Sequence, residues 1–140
     1  MKKHFLLLLV IPLLFGCTAD KVNNNNPYLP NYSFSLNINL SLPAYADLTY
    51  TTGSFFYESQ GLRGIIIFNT GTGYVAFDAA CPNQALTSCS KMTLTKGDIK
   101  VICPCDNAEY SLFTGQSTGK QYPMKQYRVE QSGTMLRIYN

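Results

Sequence analysis

Gly64-Ile65-Ile66-Ile67-Phe68-Asn69-Thr70-Gly71-Thr72-Gly73-Tyr74-Val75-Ala76-Phe77-Asp78 sets two short apolar runs on either side of a glycine-rich turn. β-Branched and aromatic residues broken by such a turn predict a β-hairpin, with strands over Gly64–Phe68 and Tyr74–Phe77. Outward from it, Met92–Thr95 and Ile99–Ile102 flank Lys96-Gly97-Asp98, which predicts a second hairpin. Tyr127–Glu130 and Met135–Tyr139 flank Ser132-Gly133 and predict a third. Towards the start, Phe34, Leu36, Ile38 and Leu40 alternate with Ser and Asn, the period of a strand with one buried face. No segment after the leader keeps a helical period long enough to predict a helix, and no internal repeat is visible. The chain therefore reads as an all-β domain.

The first hairpin runs directly into Cys81-Pro82-Asn83, and the second predicted hairpin ends in Cys103-Pro104-Cys105-Asp106 followed by Asn107-Ala108-Glu109-Tyr110-Ser111-Leu112. This order resembles that of Rieske iron–sulfur proteins, whose two ligand loops read Cys-x-His and Cys-x-x-His. Thr114-Gly115, Gly119, Pro123 and then Met124–Val129 continue the resemblance, which spans roughly Leu62 to Tyr139. It implies a Rieske-like antiparallel β-sandwich with two cysteine-bearing loops. Asn83 and Asp106, however, stand where the family has its histidine ligands, and the only histidine of the chain is His4. A Rieske centre places two Cys on one iron and two His on the other. An amide oxygen from Asn83 is a weak donor and a hard carboxylate from Asp106 suits a soft iron–sulfide site poorly. Cys81, Asn83, Cys103 and Asp106 are thus degenerate cluster-ligand positions, and the expected cofactor is none, with an atypical [2Fe–2S] cluster as the alternative. The first loop, from Cys81 to Cys89, is also a few residues longer than in the high-potential members.

Four cysteines allow three pairings, among which the sequence alone does not choose. In high-potential Rieske proteins each loop carries an additional cysteine, and the two extra thiols form a disulfide. Cys89 and Cys105 fall in the corresponding places. The resemblance thus implies Cys89–Cys105, and it brings Cys81 and Cys103 close enough to oxidise to each other in an oxidising compartment. A four-thiolate zinc site and an unusual cluster on Cys81 and Cys103 with Asp106 or a third cysteine are the competing uses.

The leader indicates where the protein resides. Met1-Lys2-Lys3 is basic, Phe5 to Phe15 is apolar over roughly ten residues, and Leu14-Phe15-Gly16-Cys17 follows, the pattern of a secretory signal ending in a lipoprotein box. The run is shorter than the about 20 apolar residues a spanning helix needs. By resemblance to bacterial lipoproteins, cleavage falls before Cys17, whose thiol becomes the lipid attachment. Expected divisions are a signal peptide over 1–16, a lipidated N-terminus and flexible tether over 17–31, and a Rieske-like β domain over 32–140. Asn23-Asn24-Asn25-Asn26-Pro27 carries the tether reading, because its composition cannot bury a core.

Cleavage would remove Lys2 and Lys3 and lower the formal charge from +3 to +1. That balance provides no basic footprint for nucleic acid. Tyr and Phe are frequent, Trp is absent and only 14% of residues are charged, as suits one compact β domain rather than a disordered chain. Without a histidine after the leader, a Ser-His or Cys-His nucleophile is excluded. Gly71-Thr72-Gly73 is a hairpin turn, since no helix follows it as a phosphate site requires. Asp78, Asp106 and Glu109 read as solvated charges on loop edges. Tyr45, Tyr50, Phe55, Phe56 and Tyr57 read as strand-packing residues, with an aromatic binding face as the alternative.

The expectation is a non-enzymatic lipoprotein, anchored in the cell membrane or outer membrane and facing the periplasm or cell exterior. Its degenerate, cluster-free domain acts as a binding or structural module with an envelope protein as partner. The competing expectation is a Rieske-type electron-transfer protein serving an extracytoplasmic oxidoreductase.

Overall fold

The structure is a computed structural model that describes residue 22 and residues 24–140. The signal peptide and Cys17 lie outside the described residues. Among the described residues eight strands form: β1 Ser35–Asn39, β2 Ser54–Tyr57, β3 Ile65–Asn69, β4 Tyr74–Asp78, β5 Lys100–Ile102, β6 Glu109–Ser111, β7 Gln126–Ser132 and β8 Met135–Tyr139. A 3-10 helix over Pro43–Thr49 joins β1 to β2, with Pro43 at its start where a missing N–H costs nothing. Among the described residues, no helix is long and apolar enough to cross a membrane.

Six strands make one antiparallel sheet in the order β1-β8-β7-β4-β3-β2, and β5 and β6 make a separate two-stranded ribbon. The Ile65-Ile66-Ile67-Phe68 run shows why β3 is continuously apolar: it is buried on both faces. Ile65 and Ile67 share a core with Leu36, Ile38, Tyr127, Leu136 and Ile138, so residues from several strands close over one cluster and the sheet is curled. Ile66 and Phe68 point the other way, into a second core shared with Phe77, Met92, Val101, Tyr110 and the two cysteines Cys81 and Cys103. The cysteine loops are thereby packed onto the sheet through β3, the strand next to the β2 edge.

Two of the three predicted hairpins form as such. Ile66 pairs with Phe77 in β3–β4, and Glu130 with Arg137 in β7–β8. The one predicted over residues 92–102 is corrected: Thr93 meets Ile102 only in an isolated bridge, and β5 takes β6 as its ladder partner. Lys96-Gly97-Asp98 does turn, but the chain before it is drawn away by a bridge between Ala80 and Lys91. Gly64 marks a tight approach at the foot of β3. It has φ 104°, a Cβ there would strike the Phe56 ring, and its carbonyl accepts the Ala79 N–H at 2.9 Å.

The expected tether needs correction from Asn24 onward. Asn24 Nδ2 donates to the Gln126 carbonyl at 2.7 Å, Asn26 Nδ2 to the Pro82 carbonyl at 2.7 Å, and Leu29 is fully buried. Lys125, itself buried, donates to Asn31 Oδ1. Asparagines that look like linker composition are here spent on backbone groups of the domain.

Candidate functional site

The site is built from two loops that the strands deliver to one end of the second core. The first leaves β4 at Asp78 and runs through Cys81 and Cys89. The second joins β5 to β6 and carries Cys103 and Cys105. Each is folded on itself by backbone bonds. Cys81 N donates to the Ser90 carbonyl and Cys103 N to the Ala108 carbonyl, both at 2.9 Å. Asn107 holds the second loop's turn in the left-handed region at φ 57°, where Asn is among the most tolerant residues.

Two cystines then join loop to loop. Cys81 is bonded to Cys103 with a Cα–Cα distance of 5.6 Å, and Cys89 to Cys105 at 5.2 Å. These are the pairs the Rieske resemblance implied. The inner cystine is buried, each residue at 1% exposure, and packs among Phe77, Met92 and Tyr110. The outer one lies at the surface, where the Thr87 hydroxyl stands 3.3 Å from Cys89 Sγ and 3.7 Å from Cys105 Sγ.

Asn83, where the resemblance puts the first histidine, is engaged in hydrogen bonds through both ends of its amide. Its Nδ2 donates to the Tyr122 carbonyl at 2.7 Å and to the Tyr110 hydroxyl at 3.0 Å, while its Oδ1 accepts the Tyr122 N–H at 2.9 Å. The amide thus mimics a backbone strand partner for residue 122. Tyr110 is buried, which pushes its phenol above the usual tyrosine range. Asp106, where the resemblance puts the second histidine, accepts Lys120 Nζ at 2.6 Å through Oδ2 and the Ala108 N–H at 3.1 Å through Oδ1. The hydrogen bond from Lys120 holds the carboxyl below its ordinary range and raises the lysine in turn.

These residues do not fit a histidine-ligated [2Fe–2S] group. Both ligand cysteines are spent on each other, the Asn83 amide is committed to two tyrosines, and the Asp106 carboxylate is committed to a lysine. The Cys81–Cys103 bond ties the two loops to each other, while Asn83 and Asp106 tie each loop to the segment over 120–122.

Three features near the site were not anticipated in the sequence. Asp78 is not a solvated loop-edge charge but is fully buried. It accepts the N–H groups of Leu62 at 2.5 Å, Arg63 at 3.2 Å and Ala80 at 2.7 Å, and the Tyr127 hydroxyl at 2.6 Å. Burial raises its carboxyl above the usual range, with those donors pulling the other way, and burial likewise raises Tyr127. Burial pushes Lys125 down, opposed by Asp78. The Asn83–Tyr122 and Asp106–Lys120 ties were also unforeseen, since their partners lie in a loop with no motif of its own. Asp106 and Glu109 are exposed, as expected for loop charges. Of the five aromatics, Tyr45, Phe55, Phe56 and Tyr57 pack against the two cores and Tyr50 is exposed.

No protein-family model matches the chain. Nor does any curated protein. Among solved structures, the chain is similar to the ferredoxin of carbazole 1,9a-dioxygenase from Nocardioides aromaticivorans IC177, with 13% identity and a TM-score of 0.42 over 64% of this chain and 86% of that one. It is also similar to a chain of the complex of reduced oxygenase and oxidized ferredoxin in carbazole 1,9a-dioxygenase, with 17% identity and a TM-score of 0.49 over 74% of this chain and 91% of that one. On the chain's own geometry, a curled antiparallel sheet presents two cysteine loops fastened to each other by an inner and an outer cystine, the all-β, two-loop plan that the resemblance implied.

Proposed function

We propose that this protein is a membrane-anchored extracytoplasmic lipoprotein whose cluster-free Rieske-like domain works as a binding or structural module, with another envelope protein as its partner. One observation carries the reading: every side chain at a ligand position is engaged in a bond between protein segments, so the loops form a rigid protein surface. The arm over 24–31 bears on how that surface would be presented. Asn26 is bonded to the first cysteine loop at Pro82, and the six residues between Cys17 and Asn24 make seven Cα–Cα steps, which span at most about 25 Å when extended. A lipid on Cys17 would therefore keep the cystine face close to the membrane.

The electron-carrier reading keeps one observation in its favour, the sulfur atoms of Cys81, Cys103 and Cys105 lying within 4.8 Å of one another. Voltammetry of the purified domain separates the two. A cluster-free module has no reversible one-electron wave, whereas a wave within the Rieske range of about −150 to +300 mV would establish an electron carrier.

A further inference from the structure

The two cystines form one connected sulfur system. Cys89 is exposed, Cys105 is half-buried, and Cys81 and Cys103 are closed to solvent. Cys105 Sγ nevertheless lies within 4.8 Å of both sulfurs of the inner pair. A soluble thiol meets the outer bond first and has no open path to the inner one. Thr87 adds a second element: disulfide sulfurs carry no proton, so its single hydroxyl proton, which Ser90 Oγ at 3.0 Å can also take, is able to turn to Cys89 or to Cys105 and hold that sulfur as a departing thiolate.

We propose that the loops are a thiol–disulfide relay that passes an electron pair from the surface cystine to the buried one, with a dithiol as the reductant. A thiolate of that dithiol attacks Cys89 Sγ, the Cys89–Cys105 bond breaks, and Cys105 leaves with the electron pair. The reductant's second thiol then attacks its own sulfur in the mixed disulfide, departing as a disulfide and returning the Cys89 thiol. The Cys105 thiolate attacks Cys81 Sγ, which breaks the Cys81–Cys103 bond and releases Cys103 to take a proton from solvent. Cys89, giving up its proton, closes again on Cys105 and frees Cys81, which is protonated. The dithiol has become a disulfide, the inner cystine has become two thiols, and the outer cystine is restored. Attack on Cys81 is assigned because a Cys103–Cys105 bond would have to close across a single residue.

The relay rests on the cystine reading of the loops, which iron analysis tests separately. Iron-bearing protein overturns both, whereas iron-free protein that fails the exchange overturns the relay alone. The native protein is treated with limiting dithiothreitol, quenched with iodoacetamide and mapped without reduction. Label on Cys81 and Cys103 with Cys89–Cys105 still bonded is expected. In the Cys89→Ser, Cys105→Ser variant, reduction of Cys81–Cys103 should slow by at least about tenfold, although loss of the outer tie alone would loosen the loops and speed it. An unchanged or faster rate overturns the relay. Cys103→Ser provides a second reading if that variant does not fold. Its freed Cys81 thiol should exchange onto Cys105 and place label on Cys89, and label confined to Cys81 overturns the proposal.

Discussion

Asn83 shows how one side chain can fasten a loop through hydrogen bonds alone. Its amide satisfies both backbone groups of Tyr122 and the hydroxyl of a buried tyrosine. Asn83→Ala should therefore cost about 1–3 kcal/mol, seen as a lower urea midpoint with an unchanged slope. Asp106 gives a different signature. Lys120 depresses its folded pKa, so its share of stability is present above the unfolded value of about 4 and is lost as pH falls through the lower folded value. Asp106→Asn should flatten that acid limb in a thermal-melt series by slightly lowering the neutral-pH melting temperature while leaving the acid end unchanged, a small effect as suits a surface ion pair. Neither tie was legible beforehand. The sequence shows that Asn83 and Asp106 are not histidines, but their partners lie 39 and 14 residues away in a segment without periodicity.

Among the elements, β3 was readable because four consecutive apolar residues have few other uses, and its burial on both faces follows from that run. The 92–102 hairpin was misread because its turn is genuine while its strand pairing is decided by the cysteine loops, which a local pattern does not contain. Asp78 was misread for a related reason. A carboxylate after a strand ordinarily meets water, but here three N–H groups and a tyrosine hydroxyl converge on it. Asp78→Asn would turn an amide NH2 towards N–H donors and should lose about 2–3 kcal/mol in chemical denaturation. Its pH sign opposes that of Asp106: the folded carboxyl holds its proton more tightly, so its contribution weakens as pH rises from the unfolded value through the raised folded one. The cystines act at the same scale. They close separations of 22 and 16 residues, each worth about 3 kcal/mol in the chain-entropy model. Since they join the same two loops, removing both should cost less than the sum of the single losses, and hydrogen exchange should rise first at the loop tips.

At the scale of the molecule, the all-β class and the two-loop plan were legible from turns, apolar runs and cysteine order. The docking of 24–31 was not, because asparagine-rich sequence has the same composition whether it is solvated or bonded to a neighbouring backbone. That arm links the domain to the proposed anchor. Cys17→Ser should move the protein from the detergent phase to the aqueous phase or leave it uncleaved, and unchanged partitioning would remove the lipoprotein reading. The central claim is that cystines have taken over the task of a cluster in joining the two Rieske-like loops. It is tested most directly on protein made in an oxidising compartment, by iron analysis and thiol labelling before any reduction. The account predicts a colourless protein with no iron and no label on Cys81, Cys89, Cys103 or Cys105. A brown protein with about two irons per chain and a Rieske-type resonance would contradict it.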